Sequence, residues 1–127
     1  MARSASGGLD YSWKAENAMA EAFVCVELGT NDYDVDLPDT VASDTVIGVI
    51  QETAPTAGQS VRVRVNGITK VVANGAFSKG DTLVAAATTG RVDTITESTA
   101  YTEDIQIGVA LEAADGAGEV VEMLIRH

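Results

Sequence analysis

The chain has 127 residues, with 19 acidic against 8 basic side chains and a formal charge of −11. That length fits one domain, with a core large enough to fold without disulfide or metal staples. The charge repels phosphate backbones and anionic lipid, which makes nucleic acid and membrane poor partners.

Hydrophobic residues make up 46% of the chain but aromatics only 5%. The balance is mostly alanine and valine, and threonine is also frequent; branched side chains pack well on a pleated surface. No apolar run reaches the ~18 residues of a membrane span. MARSASGGLD lacks the apolar core of a signal peptide, so cytoplasmic synthesis is expected.

Residues 1–20 read as an N-terminal arm, small, polar and glycine-containing, with room for a helical turn around AENAMAEA. Tyr11 and Trp13 are unusual on such an arm: they either fold back on the arm's own domain or anchor it to another chain. Residues 21–127 read as a β domain. Its first strand is Glu21 to Leu28, and a polar, acidic passage, GTNDYDVDLPDTVASD, follows.

Val46 to Glu52 is the next strand, Ala54 to Gln59 a turn, and Ser60 to Val65 an alternating strand with valines on one face and Arg62 and Arg64 on the other. Asn66–Gly67 predicts a two-residue hairpin turn, because both residues tolerate positive φ. The return strand is Ile68 to Ala73, in a register that sets Lys70 opposite Val63 unless a bulge intervenes. Strands follow at Thr82 to Ala86, Arg91 to Thr96 (after a Thr89–Gly90 turn), Ile105 to Glu112 and Glu119 to Ile125, the last apolar on both faces and so central. About eight short strands separated by turn signals predict an all-β fold, a small closed or nearly closed β-barrel or sandwich.

IGVIQETAPTAGQSVRVRV at Ile47 and IGVALEAADGAGEVVEMLI at Ile107 align without a gap over 19 residues, with eight identities. Ile47, Gly48, Val49, Glu52, Ala54, Ala57, Gly58 and Val61 recur sixty positions later. Each copy reads as strand, alanine-rich turn, strand. The echo predicts two pseudo-repeated hairpins in equivalent places of a barrel, and it requires no ligand.

Catalytic chemistry is not evident. His127, the only histidine, is the last residue, so a serine or cysteine nucleophile lacks its usual base. Cys25 lies in the apolar run AFVCVEL and reads as a buried small hydrophobe. Asp32, Asp34 and Asp36 are spaced like the start of a calcium loop. Leu37 and Ser43 stand where that loop needs glycine and glutamate, so a solvated acidic face is the expectation. Gly116–Ala117–Gly118 enters a strand rather than a helix and reads as a turn, not a dinucleotide site. No catalytic residue, metal ligand or cofactor is assigned.

The order of these units (IGVIQETAPTAGQSVRVRV, then NGITKVVANG, then Ser78–Lys79–Gly80–Asp81, then IGVALEAADGAGEVVEMLI) resembles the capsid cement, or head-decoration, proteins of tailed phages over residues 44–127. The resemblance implies a structural virion protein, not an enzyme. It would bind the outer surface of an assembled capsid and stabilise contacts between major capsid protein subunits, often as a trimer. On that reading Arg3, Tyr11, Trp13 and Lys14 of the arm are the candidate capsid or subunit contacts, with Arg62 and Arg64 as weaker ones.

Two alternatives stay open. A biotinyl- or lipoyl-like carrier is echoed by Phe77–Ser78–Lys79–Gly80–Asp81 and would need its lysine at a hairpin tip. A carbohydrate-binding module would need a platform from Trp13, Tyr33 or Tyr101.

Overall fold

The structure, a computed structural model, describes residues 9–39, 45–94 and 106–126. These residues form nine strands and no helix, so the all-β expectation holds. The strands are β1 Leu9–Ala15, β2 Cys25–Leu28, β3 Asp34–Asp36, β4 Val46–Ile50, β5 Ser60–Val72, β6 Thr82–Ala85, β7 Val92–Thr94, β8 Gly108–Ala110 and β9 Val120–Ile125. They hydrogen-bond in the order β1-β3-β2-β4-β5-β9-β8-β6-β7, and β1 also pairs with β5. That last pairing closes β1-β3-β2-β4-β5 into a five-stranded barrel. The remaining strands complete a second ring on β5, closed by a parallel bridge between Ala73 and Val92.

Four sequence expectations change. Leu9–Ala15 is not loose arm but a strand, paired antiparallel with β5 and parallel with β3. Its alternation is real: Leu9, Tyr11, Trp13 and Ala15 share one face, with Asp10, Ser12 and Lys14 on the other. The helical turn for which AENAMAEA left room does not form, and Met19 instead bridges Ala54. Within the acidic passage, Asp34–Asp36 is a second unforeseen strand, and the count reaches nine because two expected strands merge into β5.

Asn66–Gly67 is no hairpin tip. β5 runs through it for 13 residues, because each half has its own partners. Residues up to Asn66 pair with β1 and β4, whereas Gly67–Val72 pair with β9. Gly67, at φ 92°, turns the strand from one ring into the other. The awkward Lys70–Val63 register therefore never arises: Val63 faces Tyr11 and Ile50, and Lys70 faces Glu122.

The 19-residue echo is the visible part of a larger repeat. Val49 pairs with Arg64 as Val109 does with Leu124, and Ile50 with Val63 as Ala110 does with Met123. The Arg62 amide donates to Glu52 at 2.9 Å, and the Glu122 amide to Glu112 at 2.8 Å. The same ladder continues outside the echo. Trp13 faces Val61 as Val71 faces Val121; Val26 faces Gly48 as Leu83 faces Gly108; Leu28 faces Val35 as Ala85 faces Val92. Asn17 donates to Asp36, and Asn74 to Asp93, each at 3.0 Å. The described parts of residues 9–65 and 67–125 are thus two versions of one five-strand unit, and β1 is the counterpart of the second half of β5.

Each ring has its own core. Ala15, Met19, Val26, Val35, Ile50, Val61 and Val63 fill the first. Val71, Leu83, Val92, Ala110, Val121 and Met123 fill the second, joined by Cys25, Val46 and Val49 from the first half. Leu83 and Met123 are fully buried, and each such side chain contributes about 1.5–3 kcal/mol. Cys25 is a free, buried thiol whose acidity is strongly suppressed by burial, as its apolar run implied.

Candidate functional site

Among the described residues, four of the five exposed large apolar side chains lie on the first barrel, and two of them, Leu28 and Tyr33, line one pocket at its end. Tyr33 is 70% exposed, Tyr11 52%, Leu28 50% and Leu9 44%. Trp13 packs partly into the first core, and its ring lies 6.1 Å from that of Tyr33, tilted by 49°. Beside them is a shallow open pocket of about 330 Å³ lined by Trp13, Leu28, Gly29, Thr30, Asn31, Asp32 and Tyr33. The Trp13 indole Nε1 is buried and has no hydrogen-bond partner among the described residues.

The loop that carries this end is held from below. The Thr30 amide and hydroxyl both donate to the Glu16 carboxylate, at 2.6 and 3.0 Å. The Asn31 amide group donates to Asp34 at 3.3 Å, and the Gly29 amide to the Asp34 carbonyl at 2.8 Å. Tyr33 has a φ of 66°, the left-handed region that costs a non-glycine residue about 1 kcal/mol or more. A strained aromatic left in solvent is a feature packing alone does not require.

The sequence-derived contacts divide into three groups. Tyr11, Trp13 and Lys14 all lie on β1, Lys14 on the face opposite the two aromatics and exposed. Arg62 is exposed on β5, 3.6 Å from Asp10 and 4.0 Å from Glu52. Arg64 is held inside the fold: its guanidinium donates to both Asp10 carboxylate oxygens, at 2.7 and 3.1 Å, and to the Ile68 carbonyl at 3.0 Å. Those bonds hold the Asp10 carboxyl below the usual carboxylate range. Arg3, Tyr101 and His127 lie outside the described residues.

Among the described residues no group of three or more His, Cys, Asp or Glu side chains could hold a metal ion. Asp34 and Asp36 flank the buried Val35, and Asp32 sits in the turn before them. Sequence reasoning named Tyr33 with Trp13 only as a possible carbohydrate platform, and it missed Leu9 and Leu28 as exposed apolar positions. The i, i+2 spacing of Leu9, Tyr11 and Trp13 was the available signal.

A family model described as phage cement protein matches residues 9–126. The chain belongs to the phage cement protein family. The match takes in β1, so the family's span includes the strand that composition had assigned to an arm. Among solved structures, the cement-family chain is similar to the head fiber gp8.5 N base of bacteriophage phi29, with a TM-score of 0.62 and 17% identity. The similarity covers 94% of this chain and 95% of that one, and it speaks for the fold. No curated protein matches the chain.

Among the described residues neither alternative gains a site of the expected form. Asn66–Gly67 lies within a strand, the Lys70 amine sits 5.9 Å over the Phe23 ring, and Lys79 lies in an exposed turn before β6 rather than at the tip of a paired hairpin. Trp13 and Tyr33 do meet, but Trp13 is partly packed into the core rather than laid flat to solvent.

Proposed function

We propose that this cement protein is a structural component of the phage virion that binds the outer surface of the assembled capsid. There it stabilises contacts between neighbouring major capsid protein subunits, as a homo-oligomer with a trimer favoured, and it performs no catalysis. The observation that carries the reading is the family match over residues 9–126. The phi29 head fiber base agrees with it in fold.

The molecule's physical character suits the task. A chain of charge −11 resists self-aggregation and stays soluble until it meets a preformed lattice. Its contact residues are the exposed side chains of the first barrel's end and of β1: Tyr11, Lys14, Leu28 and Tyr33, with Trp13 as their support and Arg62 at the edge. Aromatic anchors backed by a rigid sheet are what a docking protein needs to lose little entropy on binding.

The test is to mix purified protein with expanded, undecorated shells and sediment them. Saturable co-sedimentation, with shells that then survive higher temperature, is the expected result. Shells that neither bind the protein nor gain heat resistance would overturn the reading.

A further inference from the structure

The repeat supplies an internal template for what the first barrel's free end is built to contact. In the second half, the segment equivalent to Leu28–Asp34 is Ala85–Arg91, placed by the matching β2–β3 and β6–β7 ladders. That segment docks on the first barrel. The Cys25 amide donates to the Gly90 carbonyl at 2.7 Å, and the Thr88 amide to the Pro38 carbonyl at 2.7 Å. Arg91 pairs with Glu21 through two bonds of 2.9 and 3.0 Å. Ala85, Ala86 and Gly90 are all buried, and a Cβ on Gly90 would fall on the Cys25 carbonyl oxygen.

In the first half the same positions face outward and have changed character. Leu28, half exposed, replaces the buried Ala85, and Tyr33, 70% exposed, replaces the flush Gly90. Both Tyr33 and Gly90 keep the left-handed backbone, φ 66° and 71°. The tyrosine therefore holds a conformation that glycine adopts without cost, so its side chain is retained against strain. Asp34 stands where Arg91 pairs with Glu21, so the sign of the charge at the contact is inverted, and Asp32 adds to it.

We infer that the Leu28–Asp34 end of the first barrel is a docking socket for a partner protein that presents a basic side chain beside a shallow apolar patch. The inference rests on the capsid-binding reading, and the partner is then the capsid subunit surface. The charge inversion is what selects the occupant. A second copy of this chain, with 8 basic against 19 acidic side chains, offers few basic groups to meet Asp32 and Asp34, so this end is not the one expected to hold a trimer together. A basic capsid patch pairs with them and covers Tyr33, as the first barrel covers Gly90.

Two substitutions copied from the second half test the socket: Tyr33→Gly and Asp34→Arg. Both place a residue already used at the equivalent ladder position, and melting curves establish that the variants fold. With undecorated shells, Tyr33→Gly is expected to bind about thirtyfold more weakly, the loss typical of a central aromatic anchor. Asp34→Arg is expected to bind at least about tenfold more weakly, with a shallower salt dependence than the parent. Val120→Ala, at a half-exposed residue of the second half, is expected to bind as the parent does. Full binding by both socket variants, while the parent decorates shells, overturns the socket and leaves the capsid reading standing. No binding by the parent overturns both. A fall in oligomer mass for Tyr33→Gly with unchanged shell occupancy overturns the inference in favour of self-association.

Discussion

Arg64 is the residue whose loss tells most about how β1 is fixed. Its side chain and that of Asp10 are 19% and 20% exposed, and the two form a bidentate pair across the β1–β5 ladder. Replacing Arg64 with Met keeps the apolar stem. It removes two charged hydrogen bonds to Asp10 and the donor to the Ile68 carbonyl. Breaking a fully buried pair costs about 3–5 kcal/mol, and a fully exposed one below about 1 kcal/mol. With a fifth of each side chain in water, Arg64→Met should cost about 2 kcal/mol, or roughly 8 °C in melting temperature for a chain of this size.

Asp10→Asn should cost less, about 1 kcal/mol, since an amide oxygen still accepts one bond. The double variant should fall short of the sum by about 1 kcal/mol, the coupling of the pair. The pair also sets an acid limb. Arg64 depresses the Asp10 carboxyl in the folded state, so its contribution is complete above the unfolded carboxylate value and is lost as pH falls through the folded one. The window therefore lies below about pH 4, and Asp10→Asn should flatten it. Urea denaturation at pH 7 and at acid pH measures all of this. Additive single effects under about 0.5 kcal/mol each, with an unchanged acid limb, would refute the account of β1 as a clamped strand.

The repeat makes a second, paired prediction. Gly48→Ala and Gly108→Ala each push a Cβ onto a carbonyl oxygen of the neighbouring strand, that of Arg64 or of Leu124. Each should cost about 3 kcal/mol, whereas Gly58→Ala and Gly118→Ala, with open space and φ of 86° and 89°, should cost only about 1 kcal/mol. The same denaturation assay ranks the four. Cys25 should react with a thiol reagent only once urea unfolds the chain, because its thiol is buried and its acidity suppressed. Labelling at the native-state rate of a free thiol would contradict that. Cys25→Ser, which places a hydroxyl in the core, should cost about 1–3 kcal/mol by calorimetry.

The strands of the echo could be read from sequence because its glycines are constrained in both copies: a Cβ at Gly48 or Gly108 would strike a neighbouring carbonyl oxygen, and Gly58 and Gly118 both keep a left-handed backbone. The rest of the repeat was hidden because packing tolerates different residues in one place. Val63 and Met123 fill the same site, as do Val26 and Leu83, and Trp13 and Val71. Small changes in spacing hide it further. Asn66–Gly67 misled for a physical reason: the local turn preference is real, but β1 and β9 supply ladders on either side, and tertiary pairing overrode it. β1 was missed because it follows the small, polar stretch MARSASGG and carries Asp10, Ser12 and Lys14 on one face, although its alternation was legible. The socket could not be read at all. Tyr33 and Leu28 become conspicuous only beside Gly90 and Ala85, an equivalence visible in the hydrogen-bond ladder and not in the residues.

The most direct measurement is cryo-electron microscopy of undecorated shells saturated with the protein. The account predicts density on the outer surface at junctions between capsid subunits, with the first barrel's Leu28–Asp34 end against the shell and the second ring turned away from it. Shells without added density, or density in which the second ring makes the contact and Tyr33 points into solvent, would contradict it.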